Sequence, residues 1–80
     1  MDFTDEQLAV EAERLLKDPV LNLTVSRIMA DSLQELAAAD ATDADAIRKS
    51  QATYRAAEEF MLRLHRYVEA LNADGEGAQV

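Results

Sequence analysis

The sequence contains no cysteine and no tryptophan, a single proline, two glycines, and only four other aromatic residues, two Phe and two Tyr. Without cysteine there is no disulfide framework and no thiolate metal site. With glycine and proline so scarce, few turns interrupt the chain. No Val/Ile/Thr-rich alternating run marks a strand. The uncharged stretch Pro19–Ser26 is far too short to span a bilayer. The start, Met1-Asp2-Phe3-Thr4-Asp5, lacks the basic end and apolar run of a signal peptide, which predicts a cytoplasmic location or packaging from the cytoplasm. Cations are also short: eight Lys and Arg against sixteen Asp and Glu give a net charge of -8. That excess disfavours membrane adhesion and direct contact with nucleic-acid phosphates, and it favours a protein partner with a basic surface.

What is present is helix-forming. Ala, Leu, Glu, Gln and Arg dominate the eighty residues. One small domain is expected, over residues 1–72, and a core of that size is marginal without help from a partner or a second copy. The clearest pattern is the stripe Ile47, Ser50, Tyr54, Ala57, Met61, Leu64, Val68, Leu71. Its steps alternate three and four residues, which is one face of one long helix.

Three helices are predicted, at about 5–17, 19–38 and 43–72. Thr4-Asp5-Glu6-Gln7 reads as a capping box, with Phe3 and Leu8 placed for a hydrophobic staple. Leu8, Ala12, Leu15 and Leu16 share a face. Asp18-Pro19 ends the first helix and opens the second, because proline lacks the amide a continuing helix needs but fits a first helical position capped by Asp. A single long helix kinked at Pro19 is the plainer alternative. Leu21, Val25, Ile28, Met29, Leu33 and Leu36 form the apolar face of helix two, with Arg27, Asp31, Gln34 and Glu35 outward. Thr42-Asp43-Ala44-Asp45 is expected to cap the third helix as a weaker box. Residues 73–80, with two glycines and two acids, are expected to be a flexible acidic tail.

Lengths then decide the packing. Thirty helical residues span about 45 Å and twenty about 30 Å. A short loop makes the two helices antiparallel, pairing Leu36 with Ile47, Ser32 with Ser50, Met29 with Tyr54 and Leu21 with Met61. The far end of the stripe, Leu64 to Leu71, overhangs. The expected architecture is all-α: a long antiparallel hairpin with a short N-terminal helix folded across its open end. Phe60 and Tyr67 are expected to widen the stripe to receive both shorter helices.

Chemistry is hard to find. The only histidine, His65, stands beside the stripe with Glu69 one turn on, and no nucleophile or second base accompanies it. Asp40, Asp43 and Asp45 cluster in the turn but fail the calcium-loop spacing, having Ile47 or Ala44 where a ligand should stand. Glu58-Glu59 and Glu11/Glu13 do not converge as paired carboxylates, since neighbours on a helix point about 100° apart. No catalytic, metal or cofactor site is predicted. Arg48, Lys49, Arg55 and Arg63, with Arg66 nearby, form a basic flank, which Asp5, Glu6, Glu11 and Glu13 of helix one are expected to neutralise in part. The residues expected to bind a partner are Leu62, Leu64, Tyr67, Val68 and Leu71 on helix three and Leu23 on helix two. Val10 is another leftover apolar residue.

The stretch Ala12-Glu13-Arg14-Leu15-Leu16-Lys17-Asp18-Pro19-Val20, followed by Thr42-Asp43-Ala44-Asp45-Ala46-Ile47-Arg48, resembles a group of small helical phage and prophage proteins of unassigned function. In that group an Ala…Leu-Leu-x-Asp-Pro-hydrophobic box leads into a helix, and an acidic, Thr-containing turn leads into a long one. The resemblance implies a phage setting, in the host cytoplasm or the virion. The expected function is a non-enzymatic acidic protein–protein interaction module, serving as a minor virion or assembly component among other virion subunits. The alternative is an acidic inhibitor seated in a nucleic-acid site of a host enzyme or defence complex. A third is a self-assembling homo-oligomer.

Overall fold

The computed structural model describes the backbone of residues 2–78 and the side chains of residues 2–71. It is all-helical over that span, with α1 at Asp5–Leu16, α2 at Pro19–Ala38 and α3 at Ala44–Ala78.

Each helix start has a local cause. Thr4 and Gln7 close the expected box: the Gln7 amide donates to Thr4 Oγ1 at 3.1 Å and the Thr4 amide to Gln7 Oε1 at 3.0 Å. Phe3 lies half-exposed with Gln7 and Val10 on the outer side of α1, while Leu8 turns towards Tyr67 and Leu71. Asp18 caps α2, accepting from the amides of Val20 at 2.8 Å and Leu21 at 3.1 Å. The cap of α3 is Asp43, which accepts from the Ala46 amide at 3.1 Å. Thr42 is instead turned back, its amide and hydroxyl both donating to Asp40. These bonds hold the Asp40 carboxyl below its ordinary pKa, the Thr42 hydroxyl contributing most. A Thr-Asp pair offers two acceptable caps, and the Asp40 bond settles which is used. At the other end α3 runs past Asn72, and the expected tail 73–80 is helical backbone as far as Ala78. Each glycine there costs about 1 kcal/mol relative to alanine, but no proline forbids the helix.

The corner between α1 and α2 is tied by a residue with no counterpart in the sequence reading. Asn22 Nδ2 donates to the carbonyl oxygens of Leu16 at 2.8 Å and Asp18 at 2.9 Å. It thereby satisfies the Leu16 carbonyl, which the break at Pro19 would orphan, while the Asp18 carbonyl also accepts the Asn22 amide at 3.1 Å. Asn22→Ala is expected to destabilise the fold by about 1–2 kcal/mol, read as a lower urea midpoint with unchanged slope.

α2 and α1 both lie antiparallel along α3, one after the other, and touch each other little beyond the corner. The molecule is therefore long, 55 × 25 × 25 Å. Every member of the α3 stripe is buried or half-buried. Ser32 and Ser50, 2% and 5% exposed, let α2 and α3 approach closely, and Ser32 Oγ donates to the Ile28 carbonyl. Ala9 and Ala12 do the same for α1, which sits on α3 as intimately as the longer α2 does. The overhang is covered: Leu64 is buried, Val68 and Leu71 half-buried, and Leu8 lines a small hollow together with Tyr67, Ala70 and Leu71.

The α2 seam is narrower than its sequence pattern. Leu21, Val25, Met29, Ser32 and Leu36 face α3, while Ile28 and Leu33 stand exposed on opposite flanks. The small residues at the contact bring the axes too close for a broad face, so the outer members of that face are left outside.

Candidate functional site

Ile28 opens onto a groove. Leu21, Thr24, Val25 and Ile28 line it from α2; Thr53, Ala56, Ala57 and Phe60 line it from α3. Its volume is about 410 Å³ and its walls are almost wholly apolar. Thr24, Thr53 and Ala56 are short, so the large side chains at Ile28 and Phe60 overlook a recess rather than filling it. They are 40% and 46% exposed. Phe60 thus does not meet the expectation that it would receive a helix. Tyr67, one heptad on, does: it is half-buried against α1.

The edges of the groove extend as regular rows. On α2 the steps Thr24, Ile28, Asp31, Glu35 continue one line of positions. On α3 the line is Lys49, Thr53, Ala56, Phe60, Arg63, Tyr67. One edge carries acids and the other bases.

Among the described residues, ion pairing runs along helices rather than between them. Glu11 holds Arg14 at 2.8 Å, Glu13 holds Lys17 at 3.1 Å, and Asp45 lies 3.8 Å from Arg48. Glu59 holds both Arg63 at 2.8 Å and Arg66 at 3.5 Å. The Arg63 hydrogen bond lowers the Glu59 pKa, and the same bond raises that of Arg63. At Arg48, Arg63 and Arg66 the expected neutralisation by acids of α1 is replaced by pairs within α3, because partners on the same helix face are always within reach. These pairs are solvent-exposed and contribute little stability. Among the described residues, Asp31, Glu35 and Lys49 form no ion pair.

The residues expected to bind a partner divide. Leu64, Tyr67, Val68 and Leu71 form the seat of α1. Leu62 and Leu23 are exposed, at 45% and 50%. By helical spacing both lie away from the groove, Leu23 on the outer side of α2. The groove residues Thr24, Ile28, Thr53 and Ala56 were not among the expected set. The signal for them lay in the short side chains at Thr53 and Ala56, seven and four positions before Phe60 on the same helix row, which could not fill the space beside that large neighbour.

A second hollow of about 490 Å³ lies around Phe3 and Val10, edged by Asp2, Glu6 and Glu11. It has walls from α1 and its entry alone among the described residues. His65 is exposed, as is Glu69. Among the described residues no group of three or more His, Asp or Glu side chains is placed to hold a metal, and no helix is long and apolar enough to cross a membrane. Comparison of the chain with protein-family models, with curated proteins and with solved structures gives no match.

Proposed function

We propose that this protein is a non-enzymatic, acidic protein–protein interaction module that docks through the α2/α3 groove. Following the resemblance of the Ala12–Val20 box, we place it as a minor component or assembly factor of a phage particle. The observation that carries the docking role is the open apolar groove itself, with Ile28 and Phe60 at its lips. Large apolar side chains lining one recess are what a helix-in-groove contact requires, whereas single exposed apolar residues are ordinary.

The acidic-inhibitor alternative draws on the net charge of -8. It needs a continuous row of free carboxylates at phosphate-like spacing. Glu11, Glu13, Asp45 and Glu59 already hold cations on their own helices, which breaks up such a row. Mass spectrometry of purified particles separates the two. Presence at fixed stoichiometry, lost in Phe60→Glu, supports the assembly role. Absence from particles, together with a nucleic-acid-binding partner released at moderate salt, supports the inhibitor.

A further inference from the structure

Building on the reading of the groove as a docking face, we propose that its occupant is a second copy of this chain, related by a two-fold axis running along the groove.

Uncovered apolar surface calls for an occupant. Ile28 and Phe60 remain 40% and 46% exposed over a recess of about 410 Å³. A standard interface takes only about 800 Å² from each partner. The core also wants a further layer. Its buried apolar members are Ala9, Ala12, Val25, Ala57 and Leu64, and among the described residues no large side chain is fully buried.

Charge along the groove edges selects a copy of the same chain. Val25 and Ala57 share the groove wall, and Ser32 and Ser50 share the hollow on the other flank. Counting along the antiparallel helices from those pairs puts Lys49 level with the stretch between Asp31 and Glu35. A two-fold axis along the groove brings the α2 edge of each copy onto the α3 edge of the other at the same level. Lys49 then falls between Asp31 and Glu35 of the second copy. All of these charges are solvent-exposed and free of ion pairs among the described residues.

The same operation matches shapes. Phe60 arrives level with Leu21 and Thr24 of the second copy, and Ile28 level with Thr53 and Ala56. Each large side chain meets the short residues that leave the recess. The product is a two-layered bundle of the four groove helices with the two grooves closed on each other, an isologous contact of the kind two-fold dimers use.

The test is sedimentation equilibrium of the full chain across the micromolar range, with helicity followed by circular dichroism. The expected result is the mass of two chains. Phe60→Glu, at a half-exposed position, is expected to keep its helicity and weaken association by about tenfold or more. Lys49→Glu should weaken it too, and mixing that variant with Asp31→Lys/Glu35→Lys should restore a mixed dimer. A single-chain mass at high micromolar concentration overturns the proposal, as does a dimer indifferent to both Phe60→Glu and Lys49→Glu. If the chain is monomeric yet Phe60→Glu still abolishes incorporation into particles, the second copy is wrong and the docking face stands. If neither mass nor incorporation responds, both fall.

Discussion

Deletion of residues 1–18 is expected to strip the cover from Leu64, Tyr67, Val68 and Leu71 and to cost the protein most of its helicity or drive it into higher oligomers. α1 meets α3 through Ala9 and Ala12, 2% and 1% exposed, and brings Leu8 to the same hollow as Tyr67 and Leu71. Returning several half-buried or buried large side chains to water costs on the order of several kcal/mol. That matches the whole stability of a small domain, about 5 kcal/mol. The deletion also removes Asp18, whose capping bonds to Val20 and Leu21 contribute about 1 kcal/mol. Ala12→Asp in the full chain keeps that cap and unseats α1 by burying a carboxylate, so it separates the two losses. Circular dichroism and light scattering read both variants. An unchanged mass and melting temperature after deletion would show that α1 does not hold the far half of the stripe.

The second large effect is expected at Leu64. It is 7% exposed and lies where the α2 seam gives way to α1. Leu64→Ala should destabilise by about 2–4 kcal/mol, from lost transfer energy and the cavity left behind. Leu62, two residues earlier on the same helix, is 45% exposed. Leu62→Ala should stay within about 0.5 kcal/mol. Helix propensity is identical in the two substitutions, so the contrast isolates burial. Urea denaturation in which Leu62→Ala cost as much as Leu64→Ala would mean that α3 is rotated from the orientation described.

Much of this architecture is legible from local chemistry. Pro19 cannot continue α1, and Asp18 is a ready cap, so the break and the whole of α2 follow from two adjacent residues. The stripe from Ile47 to Leu71 fixes the buried face of α3, and helix lengths alone leave its far half to α1. The groove is less legible because it depends on rotation about the α2 axis. Ile28 and Leu33 both fit a helical apolar face, and only the close approach allowed by Ser32 and Ser50 pushes them to opposite flanks. The ion pairs were misplaced for a related reason. Sequence shows which charges exist, but partners one turn away compete with partners on another helix, and the local ones prevail at Glu11, Glu13 and Glu59. Asn22 is a poor helix former placed early in α2. Its purpose becomes visible only when the Leu16 and Asp18 carbonyls are seen to converge on it.

One continuous stripe is shared between two covering helices, which leaves an apolar groove open beside it. Nuclear Overhauser spectroscopy of the full chain tests it most directly. The account predicts cross-peaks from the Leu8 methyls to the Tyr67 ring and Leu71, together with cross-peaks from Leu21 to Phe60. Leu21–Phe60 contacts without any between Leu8 and Tyr67 or Leu71 would contradict it, because α1 would then be elsewhere and the far half of the stripe would be the open surface.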